Sequence, residues 1–280
     1  MTDAAWTLER VAAEHPELAP LARLHAALAD AARRFAAQHG AALHPSFTGT
    51  PAIHWLAGRS LLDSSNRAAL VPAVAALFET LARATADAVP ETRAAVDEML
   101  AATSRAGFAW PARLVTFRDV PEDADVPHAE LFRFLLLRAA AVPGAHLARS
   151  WSPPHPERWL RAACPWCGVP AAAAVAGQGS GRTFVCVLCG GRWRREGLEC
   201  VACGEERRET QLVLADRELG PASLEACKTC RFAIKVFAPG DVADDAPLAI
   251  EVRTVHLDVL AKSDGLSRDE SALAAVFPPA

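Results

Sequence analysis

Cys164-Pro165-Trp166-Cys167-Gly168 opens a run of four Cys-x-x-Cys turns, and the reading of that run decides the fold. The others are Cys186-Val187-Leu188-Cys189-Gly190, Cys200-Val201-Ala202-Cys203-Gly204 and Cys227-Lys228-Thr229-Cys230-Arg231. These pairs use all eight cysteines of the chain, and residues 1–163 contain none. Thiolates two residues apart both face one metal when the backbone turns sharply between them. The turn points N–H groups at the sulfurs, and a glycine after the second cysteine supplies the positive φ it needs. Three of the four turns have that glycine; the fourth has Arg231. Eight thiols with none left over suit two tetrahedral four-thiolate sites, for structural zinc or rubredoxin-type iron.

The intervals between turns are 18, 10 and 23 residues. The two long ones leave room for a hairpin, which pairs the first turn with the second and the third with the fourth. An interleaved pairing stays open, because spacing alone does not set connectivity. The expected sites are Cys164, Cys167, Cys186 and Cys189 in one, and Cys200, Cys203, Cys227 and Cys230 in the other. Sites of this spacing are mostly folding elements, since a module of about 40 residues cannot build an adequate core alone. A thioredoxin-like redox centre needs its Cys-x-x-Cys at a helix N-terminus, which four turns in ribbon-like sequence do not offer.

Outward from the cysteines, the chain changes character. Leu21, Leu24, Leu28 and Phe35 recur at helical spacing within 7–39, as do Leu70, Val74, Leu77 and Leu81 before Pro90. Residues 91–103, with Val96, Met99 and Leu100, and residues 128–142, with Leu131, Phe134, Leu135 and Leu137, predict further helices. Residues 40–52 and 107–127 are rich in glycine and proline and predict loops. Ser152-Pro153-Pro154-His155-Pro156 marks a boundary, because prolines so close together cannot continue a helix. Beyond it, Thr183–Cys186, Gln211–Leu214 and Ile234–Phe237 are short β-prone runs. An acidic stretch, Asp241, Asp244 and Asp245, precedes a helix expected around 248–260. The fold class is therefore multidomain α+β. An all-helical domain over 1–156 is followed by a first rubredoxin-like or zinc-ribbon-like Cys₄ module over 157–197. A second such module, over 198–280, carries a C-terminal helix.

Charge argues against phosphate partners. The net charge is −4, and both halves are balanced: 14 arginines and 16 acids in residues 1–150, 15 basic and 17 acidic side chains in 151–280. Neither half has the footprint of a nucleic-acid binder. Arg192-Trp193-Arg194-Arg195 could touch phosphates and stack a base. The plainer reading is a ribbon strand with a packed tryptophan among Glu196, Glu199, Glu205 and Glu206. His155 and His256 are the only histidines in the cysteine half and have no ligand-like neighbour. His15, His25 and His39 form no metal-ligand pair. No G-x-S-x-G, P-loop, G-x-G-x-x-G or H-E-x-x-H pattern occurs, so no enzyme is indicated. The N-terminus lacks the basic and apolar regions of a signal peptide, and no run approaches 18 apolar residues without charge. The expected location is the cytoplasm, with no membrane span.

The cysteine half resembles the formate dehydrogenase accessory proteins, the FdhE family. The resemblance rests on Cys164-Pro165-Trp166-Cys167-Gly168, on Phe184 with Cys186, Cys189 and Trp193, on Cys200/Cys203, and on Cys227/Cys230 with Lys235. Val242-Ala243-Asp244-Asp245, Leu257-Asp258 and the early Glu14-His15-Pro16 are similar too. The likeness covers roughly residues 160–265. It implies an all-helical N-terminal domain, two rubredoxin-like modules binding iron through the eight cysteines, and a cytoplasmic role in assembling formate dehydrogenase by contacting its catalytic subunit. The departures are an Arg-rich, almost Lys-free composition and the missing glycine after Cys230. The expectation from residues and resemblance together is a non-catalytic maturation factor with two metal ions, iron or zinc. It would bind no nucleic acid, and weak self-association stays open. A zinc-ribbon nucleic-acid binder and a rubredoxin-like electron carrier are the alternatives.

Overall fold

Proline sets where the N-terminal helices begin. Helix α1 (Leu8–Glu14) is capped by Thr7, whose hydroxyl accepts from the Arg10 N–H at 3.2 Å. A short 3₁₀ turn over Pro16–Leu18 then leads into α2 (Ala19–His39), which has a proline in its first turn. The 7–39 segment thus divides at His15-Pro16, because proline lacks the N–H a continuous helix would need. Helices α3 (Pro51–Leu56) and α4 (Val71–Ala88) also carry proline in the first turn, where the missing donor costs nothing. Helix α5 spans Arg93–Thr103 and α6 spans Ala129–Ser150. The computed structural model describes residues 7–268 except 46–49, 63–67, 106–107, 109–125, 154, 157–158, 160, 162, 178–180, 198, 216–221, 241 and 243–246. Most of the expected 107–127 loop, Pro154 of the expected boundary, and the acidic residues Asp241, Asp244 and Asp245 lie outside the described residues.

Helices α2, α4 and α6 pack on one another, and the periodic positions face inward. Leu24, Leu28, Val74, Leu77, Leu81, Val96, Met99, Leu131, Phe134 and Leu135 are all buried. Helix α6 is long and apolar enough to cross a membrane by composition alone, but 67% of its most apolar window is buried inside the protein. It runs through Pro143, beside Gly144, at the point where it meets the cysteine half. A Cβ on Gly144 would stand 3.0 Å from the Cys167 Cβ and 3.1 Å from the Cys189 Cβ. Glycine there lets the helix approach this closely without displacing either cysteine.

The C-terminal half is built on one six-stranded sheet of order β3-β2-β1-β6-β5-β4. Strands β1 (Ala173–Ala176), β2 (Arg182–Val185) and β3 (Arg192–Arg195) form an antiparallel meander. Strands β4 (Gln211–Ala215), β5 (Ser223–Cys227) and β6 (Ala233–Phe237) form another. The two meanders join through a parallel pairing of β1 with β6, with Ala173 opposite Lys235 and Val175 opposite Phe237. Helices α7 (Pro247–Arg253) and α8 (Val255–Ser263) follow, in place of the single helix expected around 248–260. One apolar cluster runs unbroken from Leu28, Leu77 and Phe132 in the helices to Trp159, Trp166, Cys167 and Cys189. The first meander therefore shares its core with the helical half.

Candidate metal centres

Each Cys-x-x-Cys turn closes on itself by the same two hydrogen bonds. The N–H four residues after the first cysteine donates back to that cysteine's carbonyl: Gly168 to Cys164 at 2.9 Å, Gly190 to Cys186 at 2.8 Å, Gly204 to Cys200 at 2.9 Å and Arg231 to Cys227 at 2.7 Å. The first cysteine's own N–H donates to the carbonyl five residues on, at Val169, Gly191, Glu205 and Phe232. The geometry needs a left-handed residue after the second cysteine. Gly168, Gly190 and Gly204 supply it at φ of +80°, +72° and +73°. Arg231 takes the same conformation at φ +65° despite its side chain. Its guanidinium accounts for this: Nε donates to the Gly265 carbonyl at 3.2 Å, and a second N–H reaches the Asp264 carbonyl. The missing glycine is thus replaced by a tether to the C-terminal segment.

The turns meet in sequential pairs. Cys164, Cys167, Cys186 and Cys189 bring their sulfurs together, as do Cys200, Cys203, Cys227 and Cys230, with each set inside 4.8 Å. Sulfur–sulfur distances are 3.5 Å for Cys164–Cys189 and Cys167–Cys186. In the second cluster they are 3.5 Å for Cys200–Cys230 and 3.8 Å for Cys203–Cys227. A tetrahedron with metal–sulfur bonds of about 2.3 Å has edges of about 3.8 Å, so both clusters fit one ion each. The interleaved pairing is not the one adopted. The donor set of four thiols accepts iron or zinc alike.

The two clusters differ in environment. All four sulfur-bearing residues of the first are buried, whereas in the second Cys203 is exposed and Cys230 half-buried. Burial, then the neighbouring thiols, pushes the Cys164 thiol up, while the thiols of Cys164, Cys186 and Cys189 hold Cys167 down. In the second cluster burial opposes ionisation of Cys227, but N–H groups of Cys230 and Thr229 and the thiols of Cys203 and Cys200 outweigh it and bring it to about 7. Burial, with Cys200 and Cys203, pushes Cys230 up to about 12. A bound cation would offset the cost of holding several such sulfurs as thiolates.

The histidines stand apart from both clusters: no histidine belongs to either group of ligand atoms. The His155 carbonyl accepts from the Trp55 indole at 3.0 Å. The Arg192–Arg195 run is strand β3, and Trp193 is 3% exposed with its ring 5.7 Å from Phe184. Arg194 pairs with Glu196 at 2.7 Å and Arg195 with Glu199. The ribbon-strand reading describes this segment, and Trp193 has no exposed face on which to stack a base.

One set of functional-looking residues was only half legible. Lys235 is fully buried on β6, with Nζ 2.8 Å from Glu251 and 2.8 Å from Asp258. Arg268 lies 3.1 Å from Glu251, also meets Asp258, and donates to the Ala172 carbonyl at 2.8 Å. Lys235 and Asp258 entered through the family likeness. Glu251 and Arg268 carried no sequence signal, since they converge only after α7, α8 and the sheet have packed. The four charges balance and pin the C-terminal helices to the junction of the two meanders.

No protein-family model matches the chain. It is 31% identical over 116 residues to a protein FdhE homolog of Stutzerimonas stutzeri (strain A1501), a match covering 40% of this chain and 38% of that one. The matched part thus spans about two fifths of the relative's length. The fold is that of the FdhE protein from Pseudomonas aeruginosa, whose crystal structure it matches with a TM-score of 0.57 and 22% identity, over 93% of this chain and 90% of that one. Both comparisons agree with the resemblance carried by the cysteine motifs, and the helical region followed by a sheet with two Cys₄ clusters is common to this chain and that fold.

Proposed function

We propose that the chain is a member of the FdhE family and acts as a non-catalytic accessory protein in the assembly of formate dehydrogenase. In this reading it binds the enzyme's catalytic subunit in the cytoplasm and holds two metal ions, iron or zinc. The eight cysteines are the ligands, four to each ion. The observation that carries the reading is the pair of complete Cys₄ clusters set in an FdhE-type fold, in a chain 31% identical to an FdhE homolog over 116 residues. The proposed division is a helical domain to residue 156 and metal modules over 157–197 and 198–280. The metal's contribution is to close each cluster and hold its two turns in register. The chain's own residues supply the docking surface, and the subunit is released once assembled.

Deletion of the gene tests this. Formate oxidation should disappear while the transcript for the catalytic subunit is unchanged, and the wild-type gene should restore it. A Cys186→Ser/Cys189→Ser double variant should not. Anaerobic purification should give two ions per chain and co-purify the catalytic subunit. Normal formate oxidation in the deletion strain, or one ion per chain, counts against the reading.

A further inference from the structure

A cavity of about 1200 Å³ opens between α2, α6 and the first cysteine cluster. One wall is a stripe of α6: Arg138, Val142, Ala145 and Arg149, at the spacing of a single helical face. Another is a stripe of α2, with Ala26, Ala29, Arg33 and Ala36. The third is the cysteine half itself, through Trp166, Cys189, Gly190, Gly191 and Trp193.

Three residues of this cavity carry donors without acceptors. Arg138 lines it, and its Nη1 is buried with no hydrogen-bond partner among the described residues. The indole N–H groups of Trp166 and Trp193 are likewise buried and unpartnered. Burial alone, with no opposing carboxylate, draws the Arg138 guanidinium down to about 10. Arg138 is half-buried with an enclosed Nη1, and a partly desolvated cation left unpaired is costly, as is each orphaned donor. Other arginines of the lining are already engaged: Arg33 lies 3.4 Å from Asp30, Arg194 lies 2.7 Å from Glu196, and Arg192 donates to the Val242 carbonyl at 2.8 Å. Glu9 is the single acid among the described lining residues. The unmet charge therefore resides on Arg138, with Arg149 exposed at the rim.

We propose that this cleft binds an acidic polypeptide segment of a partner protein, seating a carboxylate on Arg138. Size favours a polypeptide, because the cleft exceeds the roughly 300–1,000 Å³ typical of small-molecule pockets. Alanine along the helical walls lets an extended backbone lie close to them. The proposal deepens the accessory reading and rests on it for the identity of the partner. It also places that partner against the Cys186–Cys189 turn, so that the first cluster shapes one wall of the docking site.

The test is fluorescence anisotropy of the full chain with a short fluorescein-labelled peptide of alternating Glu and Ala. A Gln/Ala peptide and an oligothymidylate serve as controls. The acidic peptide should bind, the Gln/Ala peptide should bind at least tenfold more weakly, and Arg138→Met should weaken acidic-peptide binding by about tenfold or more, the scale of one lost charge-assisted hydrogen bond. Arg149→Glu, at an exposed position that cannot disturb the core, should also weaken it severalfold. Arg83→Met, outside the cleft, should not. Wild-type affinity in both Arg138→Met and Arg149→Glu overturns the proposal, as does equal binding of the Gln/Ala peptide or tighter binding of the oligothymidylate. The two readings fail separately. Arg138-dependent peptide binding in a chain that does not restore formate oxidation leaves the cleft standing without the accessory role. Restored formate oxidation with Arg138-independent peptide binding removes the cleft alone.

Discussion

The first and second cysteine clusters are built from the same turn and placed in opposite surroundings. Around the first, the helical half supplies the wall: the Leu61 and Leu62 N–H groups donate to the Pro165 and Trp166 carbonyls at 2.8 and 2.9 Å, and the Ser60 hydroxyl donates to the Cys164 carbonyl at 3.0 Å. Gly144 of α6 packs directly on its cysteines. Around the second, the fourth turn is tied within the C-terminal half: Arg231 and Ser267 join it to the segment after α8, the Ser267 N–H donating to the Arg231 carbonyl at 2.8 Å, and the Lys228 N–H donates to the Thr210 carbonyl at 2.7 Å. Cys203 meets solvent. A five-residue turn therefore fixes how a metal is held but not what the metal supports. In the first position an ion would belong to the shared core; in the second it would close a surface module.

Ligand removal should give the largest effect that can break this comparison. Cys167→Ser should cost a sizeable part of the order of 10 kcal/mol that a structural Cys₄ ion contributes. It should lower the melting temperature of the far-UV helical signal by many degrees, because the cluster and the helices share one core. Cys203→Ser should leave that helical melt nearly unchanged and remove one ion. A chelator should likewise strip the second cluster first. Equal losses of helical stability in the two variants would show that the clusters are equivalent after all.

Lys235→Met sharpens the comparison by asking whether the sheet couples the two halves. Removing one member of a buried, balanced ionic group costs about 3–5 kcal/mol, and urea unfolding should show it. The same network sets an acid limit. Burial works against ionisation of Glu251, but the charges of Arg268 and Lys235 outweigh it and hold the carboxyl at about 2. That value is below the unfolded figure of about 4.3, so the stabilisation is complete above that pH and is lost as pH falls from about 4 towards about 2. A loss under about 1 kcal/mol would mean the network orients the C-terminal helices without holding them.

The smallest effect is at Gly204. Its φ is +73° and a Cβ there would touch nothing within 4 Å, so Gly204→Ala carries backbone strain alone. A cost of about 1 kcal/mol follows, seen as a roughly fivefold weaker hold on the second ion in a chelator competition. No change would mean the turn tolerates any residue there, as Arg231 at φ +65° already does with the help of its tether.

What the sequence determined alone is whatever is local. The four turns were legible because cysteine spacing, joined in three of them by a following glycine, specifies them within five residues. The helical cores around Leu28, Leu77 and Leu135 were legible because burial on one face repeats every three to four positions. Strands β2, β4 and β6 showed as short β-prone runs for the same kind of reason. Strand β1 did not: Ala173, Ala174 and Ala176 have helical propensity, and only pairing with β2 and β6 holds them extended. Tertiary structure also decided that the two meanders form one sheet, that Arg231 can stand where glycine is expected, and that Glu251 and Arg268 join Lys235. It alone made one cluster core and the other surface. Each of these depends on residues far apart in the chain, whose contacts gain their energy only once the whole has packed. No local pattern carries that information.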